Sequence, residues 1–240
     1  MQWYTGPEGD QRVWYEASDI EQLMGEQLRM AKQRLTIADP VPDLESFVEN
    51  HLRVDLDQYA DLEEDVLGLT EFYGGDSPRM KISASLTEAA DAEPPAPGMR
   101  GRWRATIAHE AAHVVLHRYL FDPDMVSIRQ GDVRDPLETA TQAGNLKRVT
   151  CLHRDIDAAR SIPNRGARDW KEIQANRGMA ALLMPQTIFL RVAALNGAVR
   201  GTTVPEGSEF ASQVVTDLAK AFDVSKQAAT FRLREFELLG

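Results

Sequence analysis

His109, Glu110 and His113 lie in the run HEAAH at 109–113. On a helix, positions four apart face the same way, one turn from each other. Two imidazoles so placed can approach one tetrahedral zinc ion. Glu110 follows the first imidazole and lies beside such a metal rather than on it. From there it can take a proton from water. The flanking Ile107, Ala108, Ala111, Ala112, Val114, Val115 and Leu116 are apolar or small, as a buried helix over 102–120 requires. Ala111 and Ala112 leave room for close packing and for a substrate. The same spacing also fits two buried histidines hydrogen-bonded to backbone, with no metal between them.

A zinc site of this kind needs a third protein ligand. His117 continues the same helix face. Metzincin sites place a third histidine further on, beyond a glycine. His117 comes earlier and no glycine precedes it, so it reads as a residue that supports the ligands or packs beneath them. A carboxylate from a later helix is the other solution, and Asp155, Asp157, Asp169 and Glu172 are all placed to supply it. Manganese or iron also suits two histidines and one carboxylate; the adjacent base favours Zn2+.

The elements that must hold these residues follow from periodicity. Residues 19–36 read as an amphipathic helix, with Ser18 and Glu21 at capping-box spacing. A short helix follows at 44–52. The period then changes to two, through Val54–Leu56, Leu67–Leu69 and Met80–Ala84, with Gly74-Gly75 suited to a hairpin turn. The pattern predicts an α+β fold: a small, largely antiparallel three-stranded sheet packed on the active-site helix. Residues 87–100 read as a Pro/Ala-rich flexible loop. Helices are expected at 168–184, 186–196, 209–222 and 225–238, and a linker at 199–208. Trp3, Tyr4, Trp14 and Tyr15 around a Gly-Pro-Glu-Gly turn suggest a hairpin or docked arm.

A net charge of −10 argues against broad attraction to nucleic acid. The single cysteine, Cys151, excludes an intrachain disulfide and a cysteine-based zinc ribbon. No apolar run approaches the length of a membrane span, and the first residues lack the layout of a secretory signal. A cytoplasmic location is expected.

Three stretches resemble the ImmA/IrrE family of metallo-endopeptidases, which carry HExxH plus a glutamate in the gluzincin manner. They are PRMKISASL at 78–86 leading to RWRATIAHEAAHVVLH at 102–117, EIQANRGMAALLMP at 172–185, and FDVSKQAATFRLREFELL at 222–239. The resemblance implies that Glu172 is the third metal ligand and that Asn176 orients it or a neighbouring group. It implies a narrow protein substrate, a helix-turn-helix repressor encoded nearby, whose cleavage derepresses stress, mobile-element or phage-defence genes. Two departures stand out. Gly178 replaces a usual aromatic, and the interval between His113 and Glu172 is long. The latter suggests an insertion or lid at 122–166.

Cys151 lies in that insertion, where a thiolate could take a fourth position on the zinc and hold the enzyme off. His153 and Arg154 beside it are candidate oxyanion donors. The expected organisation is a peptidase domain over 1–198 and a helix-turn-helix-like unit over 199–240 packed on it. In residues 212–240, Lys220, Lys226, Arg232 and Arg234 are matched by Asp217, Asp223, Glu235 and Glu237. No phosphate-binding face is evident, so direct nucleic-acid binding is not favoured. The competing readings are a DNA-binding regulator with a vestigial metal site and an antitoxin-like interaction protein whose metal is structural.

Overall fold

The computed structural model describes residues 2–5, 11–72, 77–120, 147–152 and 170–240, with backbone alone at 2–5, 11–12 and 147–152. The fold is α+β. An N-terminal antiparallel pair, β1 (Gln2–Thr5) and β2 (Gln11–Trp14), precedes helix α1 (Ala17–Met30). A short helical segment, α2 (Leu44–Ser46), continues as a wider turn over Phe47–His51. Strands β3 (Asp55–Ala60), β4 (Val66–Phe72) and β5 (Arg79–Ser83) lead into α3 (Ala84–Asp91) and the long α4 (Met99–His117). Strand β6 (Lys147–Leu152) follows. Helices α5 (Trp170–Leu183), α6 (Gln186–Leu195), α7 (Glu209–Phe222) and α8 (Lys226–Glu235) complete the chain.

The three strands marked by alternation form one sheet, and β6 adds a fourth in the order β3-β5-β4-β6. The sheet is mixed: β3 runs parallel to β5, while β4 is antiparallel to both β5 and β6. Neither β4 nor β5 offers an open edge onto which an extended substrate could add. Both are interior, because β4 is paired on both sides and β5 lies between β3 and β4. Alternation reports which face is buried but not which strands are neighbours.

Two local expectations are corrected. Helix α1 begins at Ala17, ahead of the Ser18–Glu21 pair, and the Asp19 carboxylate accepts the Glu16 N–H at 3.1 Å. Asp19 thus serves the end that the serine was expected to cap. Residues 87–91, expected in a flexible loop, are helical as part of α3. Leu86, Thr87 and Ala90 are buried there, and tertiary packing overrides the loop-like composition that follows.

The core joins α1, the sheet, α4 and α5. Helices α4 and α5 approach closely at Gly178, where an added Cβ would lie 2.7 Å from the Ala112 Cβ and 2.9 Å from the Met24 Cε. The position where an aromatic residue was expected is therefore a contact between two helix backbones and the α1 side chain above them.

The C-terminal helices dock through polar and apolar contacts. Asp223, in the turn between α7 and α8, has a left-handed backbone (φ 51°) and pairs with Arg100 at 3.0 Å. Val204 in the expected linker is tied back to the chain end, its N–H donating to the Leu238 carbonyl at 2.9 Å. Phe222 and Leu218 of α7 are fully buried. Among the described residues, no single helix is long and apolar enough to cross a membrane.

Candidate metal centre

Three side chains converge between α4 and α5. His109 Nε2 lies 3.0 Å from His113 Nε2 and 3.2 Å from Glu172 Oε2, and His113 Nε2 lies 3.4 Å from the same carboxylate oxygen. Both imidazoles are fully buried, and the Glu172 side chain is 26% exposed. The arrangement follows from helix geometry on both sides. HEAAH puts the two rings on one face of α4, and Glu172 stands in the first turn of α5, whose small Ala175 and Gly178 let the helices close up.

The far side of each ring is engaged. His109 Nδ1 meets the Asn176 amide oxygen at 3.1 Å, one turn along α5 from Glu172. His113 Nδ1 meets His117 Nδ1 at 3.0 Å, and His117 Nε2 meets Gln174 Oε1 at 3.0 Å. Trp170 stands edge-on to His117, ring centroids 5.4 Å apart.

The triad suits a divalent cation. A tetrahedral ion with bonds of about 2.0–2.1 Å sets its ligand atoms roughly 3.3–3.4 Å apart, close to the spacings found here. Two buried imidazole nitrogens and a partly exposed carboxylate oxygen this close favour positive charge between them. The ionisation of the site shows the same demand. Burial would lower the pKa of His109, but the facing Glu172 outweighs it and raises the pKa above its ordinary value. At His113 burial prevails and the pKa falls. At His117 burial, with His113 beside it, drives the pKa well below the usual imidazole range. Burial opposes ionisation of Glu172, yet His109, hydrogen-bonded to it, and the neighbouring His113 imidazole hold its carboxyl well below the usual carboxylate range. Protonation of His109 partly meets the demand for positive charge; a bound metal would meet it fully.

Glu110 is fully buried on the neighbouring face of α4. The Thr70 hydroxyl of β4 donates to its Oε2 at 2.5 Å. Gly68 of the same strand passes so close that an added Cβ would lie 2.6 Å from the Thr106 Cγ2 and 3.1 Å from the Glu110 Cγ. The central strand thus presses on the helix at the glutamate.

No family model, curated protein or solved structure matches this chain. The assignment of function therefore rests on the motifs and on the geometry of this centre.

The structure brings together His109, His113 and Glu172, with Asn176 and His117 behind the rings. Cys151 lies on β6, at the register position opposite Gly68; its side chain is outside the described residues. His153 and Arg154, the alternative ligands Asp155, Asp157 and Asp169, and the expected lid apart from β6 also lie outside them. Thr70, Gly68 and Gln174 were not anticipated. A lone glycine inside an apolar strand is a signal of close backbone approach and marks this place in the sequence. Gln174 carried no such signal.

The C-terminal unit uses one of its cations internally. Arg232 is 1% exposed. Its Nη1 lies 2.5 Å from Glu21 and 2.6 Å from Glu235, and its Nη2 donates to the Met184 carbonyl at 2.8 Å. It is not available to a phosphate backbone.

Proposed function

We propose that this protein is a zinc-dependent endopeptidase of the ImmA/IrrE kind that cleaves a helix-turn-helix repressor. The observation that carries the reading is the convergence of His109 Nε2, His113 Nε2 and Glu172 Oε2 within 3.4 Å of one another, with both histidines on the helix that also bears Glu110. His109, His113 and Glu172 would hold the ion. Zinc, when bound, supplies Lewis-acid polarisation of the scissile carbonyl and lowers the pKa of water.

The chain's own residues do the rest. Glu110 accepts a proton from the attacking water and passes it to the leaving amine. Thr70 holds one carboxylate oxygen and so fixes the direction in which the other can act. Burial strengthens each electrostatic contact relative to bulk water. Asn176 and His117 hold the rings from behind, as the outer partners of metal-binding histidines do.

The substrate assignment comes from the motif resemblance. The enclosure of Arg232 and the balanced charge of residues 212–240 support a docking or structural role for that unit over DNA reading. The test is incubation with the helix-turn-helix repressor encoded beside this chain, with and without chelator, comparing the parent with Glu110→Gln. Cleavage by the zinc-loaded parent, lost on chelation and in Glu110→Gln, supports the proposal. Cleavage that persists in folded, zinc-bound Glu110→Gln overturns the role of Glu110.

A further inference from the structure

Behind His113 runs a chain of hydrogen bonds whose direction can be read. The Gln174 Nε2 lies 2.9 Å from the Val13 carbonyl oxygen. A carbonyl only accepts, so the Gln174 amide must turn its NH2 toward Val13. Its Oε1 then faces His117, 3.0 Å from Nε2, and an amide oxygen also only accepts. His117 therefore carries its proton on Nε2. A neutral imidazole has one N–H, so His117 Nδ1 is an acceptor, 3.0 Å from His113 Nδ1. That contact is a hydrogen bond only if His113 carries its proton on Nδ1. His113 Nε2 is then left as a bare lone pair aimed at His109 and Glu172.

We propose that Gln174 and His117 are positioning residues that fix the metal-binding tautomer of His113, with the Val13 carbonyl of the N-terminal strand pair as the anchor. This rests on the metal reading of the triad. Every group in the relay is buried: Val13, Gln174, His117 and His113 are at most 4% exposed. Water cannot easily substitute for a lost partner, so the orientation is transmitted without leakage to solvent. Strand β2 is thereby coupled to the ion site through three side chains, although it is far from HEAAH in sequence. His109 is fixed separately, by the Asn176 oxygen at 3.1 Å.

The test uses the full chain and two readouts. Long-range nitrogen–proton NMR on the zinc-free protein reports the tautomer of each histidine. Zinc competition with a chromophoric chelator reports affinity. The parent should show His113 protonated on Nδ1 and His117 on Nε2. In His117→Phe, His113 loses its acceptor and its proton should move to Nε2, where Glu172 Oε2 can accept it. Zinc affinity should fall by about 10–100-fold in His117→Phe and in Gln174→Met, the range for loss of an outer partner. His117→Asn, which keeps an acceptor near His113, should recover part of that loss. A tautomer change is not expected from a packing role alone.

A parent with His113 protonated on Nε2 overturns the proposal. So do folded variants that bind zinc within about twofold of the parent. Should both variants fail to fold, the tautomers of the parent still decide. A parent that binds no zinc but shows the stated tautomers would instead sink the metal reading and leave the relay standing.

Discussion

The surroundings of Arg232 and of Glu172 both bury charged groups between helices, and they differ in what completes them. At the C-terminal unit, Arg232 is enclosed with Glu21, Glu235 and the Met184 carbonyl, and the Phe236 ring lies 4.4 Å from its guanidinium carbon. Its cation comes from the chain. Between α4 and α5, the Glu172 carboxylate faces two imidazoles instead, and three potential ligand atoms stand 3.0–3.4 Å apart. The first cluster is a self-sufficient tie between α1, α5 and α8. The second gathers three groups that could hold a metal ion, and we propose that its cation comes from outside. Satisfied burial reads as structure; burial that awaits a counter-charge reads as a binding site.

The comparison can be broken by mutation. The largest effect is expected at Glu110, which we propose touches the chemistry without holding the ion. Glu110→Gln should lower repressor cleavage by about 10²–10⁴-fold, the usual contribution of a positioned general base. Its zinc affinity and thermal midpoint should stay near those of the parent. A matching loss of zinc would mean that Glu110 is a ligand.

Arg232→Met should do the opposite. It removes the internal cation from two carboxylates and a helix-end carbonyl, and should cost about 3–5 kcal/mol in urea unfolding. The protein that remains folded should bind zinc as the parent does. Unchanged stability would show that the tie is replaceable by water.

Metal addition sharpens the contrast. Zinc at about a hundred times its dissociation constant should add roughly 2.7 kcal/mol to the stability of the parent. The same addition should leave His109→Ala unaffected and should stabilise zinc-competent Arg232→Met as much as the parent. Calorimetric melting with and without chelator measures all three.

A smaller effect is expected where the two helices of the cleft meet. Gly178→Ala drives a methyl toward the Ala112 Cβ and the Met24 Cε, and overpacking of this sort costs about 1–3 kcal/mol. Because α5 carries Glu172 and Asn176, zinc affinity should weaken together with stability. A stability loss with intact affinity would show that α5 tilts without moving its first turn.

The sequence makes some of this plain and hides the rest. HEAAH is legible because both candidate ligands and Glu110 sit within one helix, where spacing fixes direction. Glu172 is legible only through the resemblance of its whole helix, since nothing local separates it from Asp169 or Asp155. The β-strands are legible by alternation, but their order depends on pairings between distant segments. The joining of β6 to β4 lies outside any local pattern. Thr70 and Gln174 are polar residues in apolar surroundings whose roles depend on partners 40 and 161 residues away. The α1 cap was misplaced by a competing acidic residue at Asp19 that serves the same end.

The most direct test of the central claim is zinc K-edge X-ray absorption on the stoichiometrically loaded protein. The account predicts a low-coordinate site with two imidazoles and oxygen ligands at about 2.0–2.2 Å, losing one imidazole in His113→Ala. Failure of the parent to retain zinc, or an unchanged metal environment after His109, His113 and Glu172 are all replaced by alanine, would contradict it.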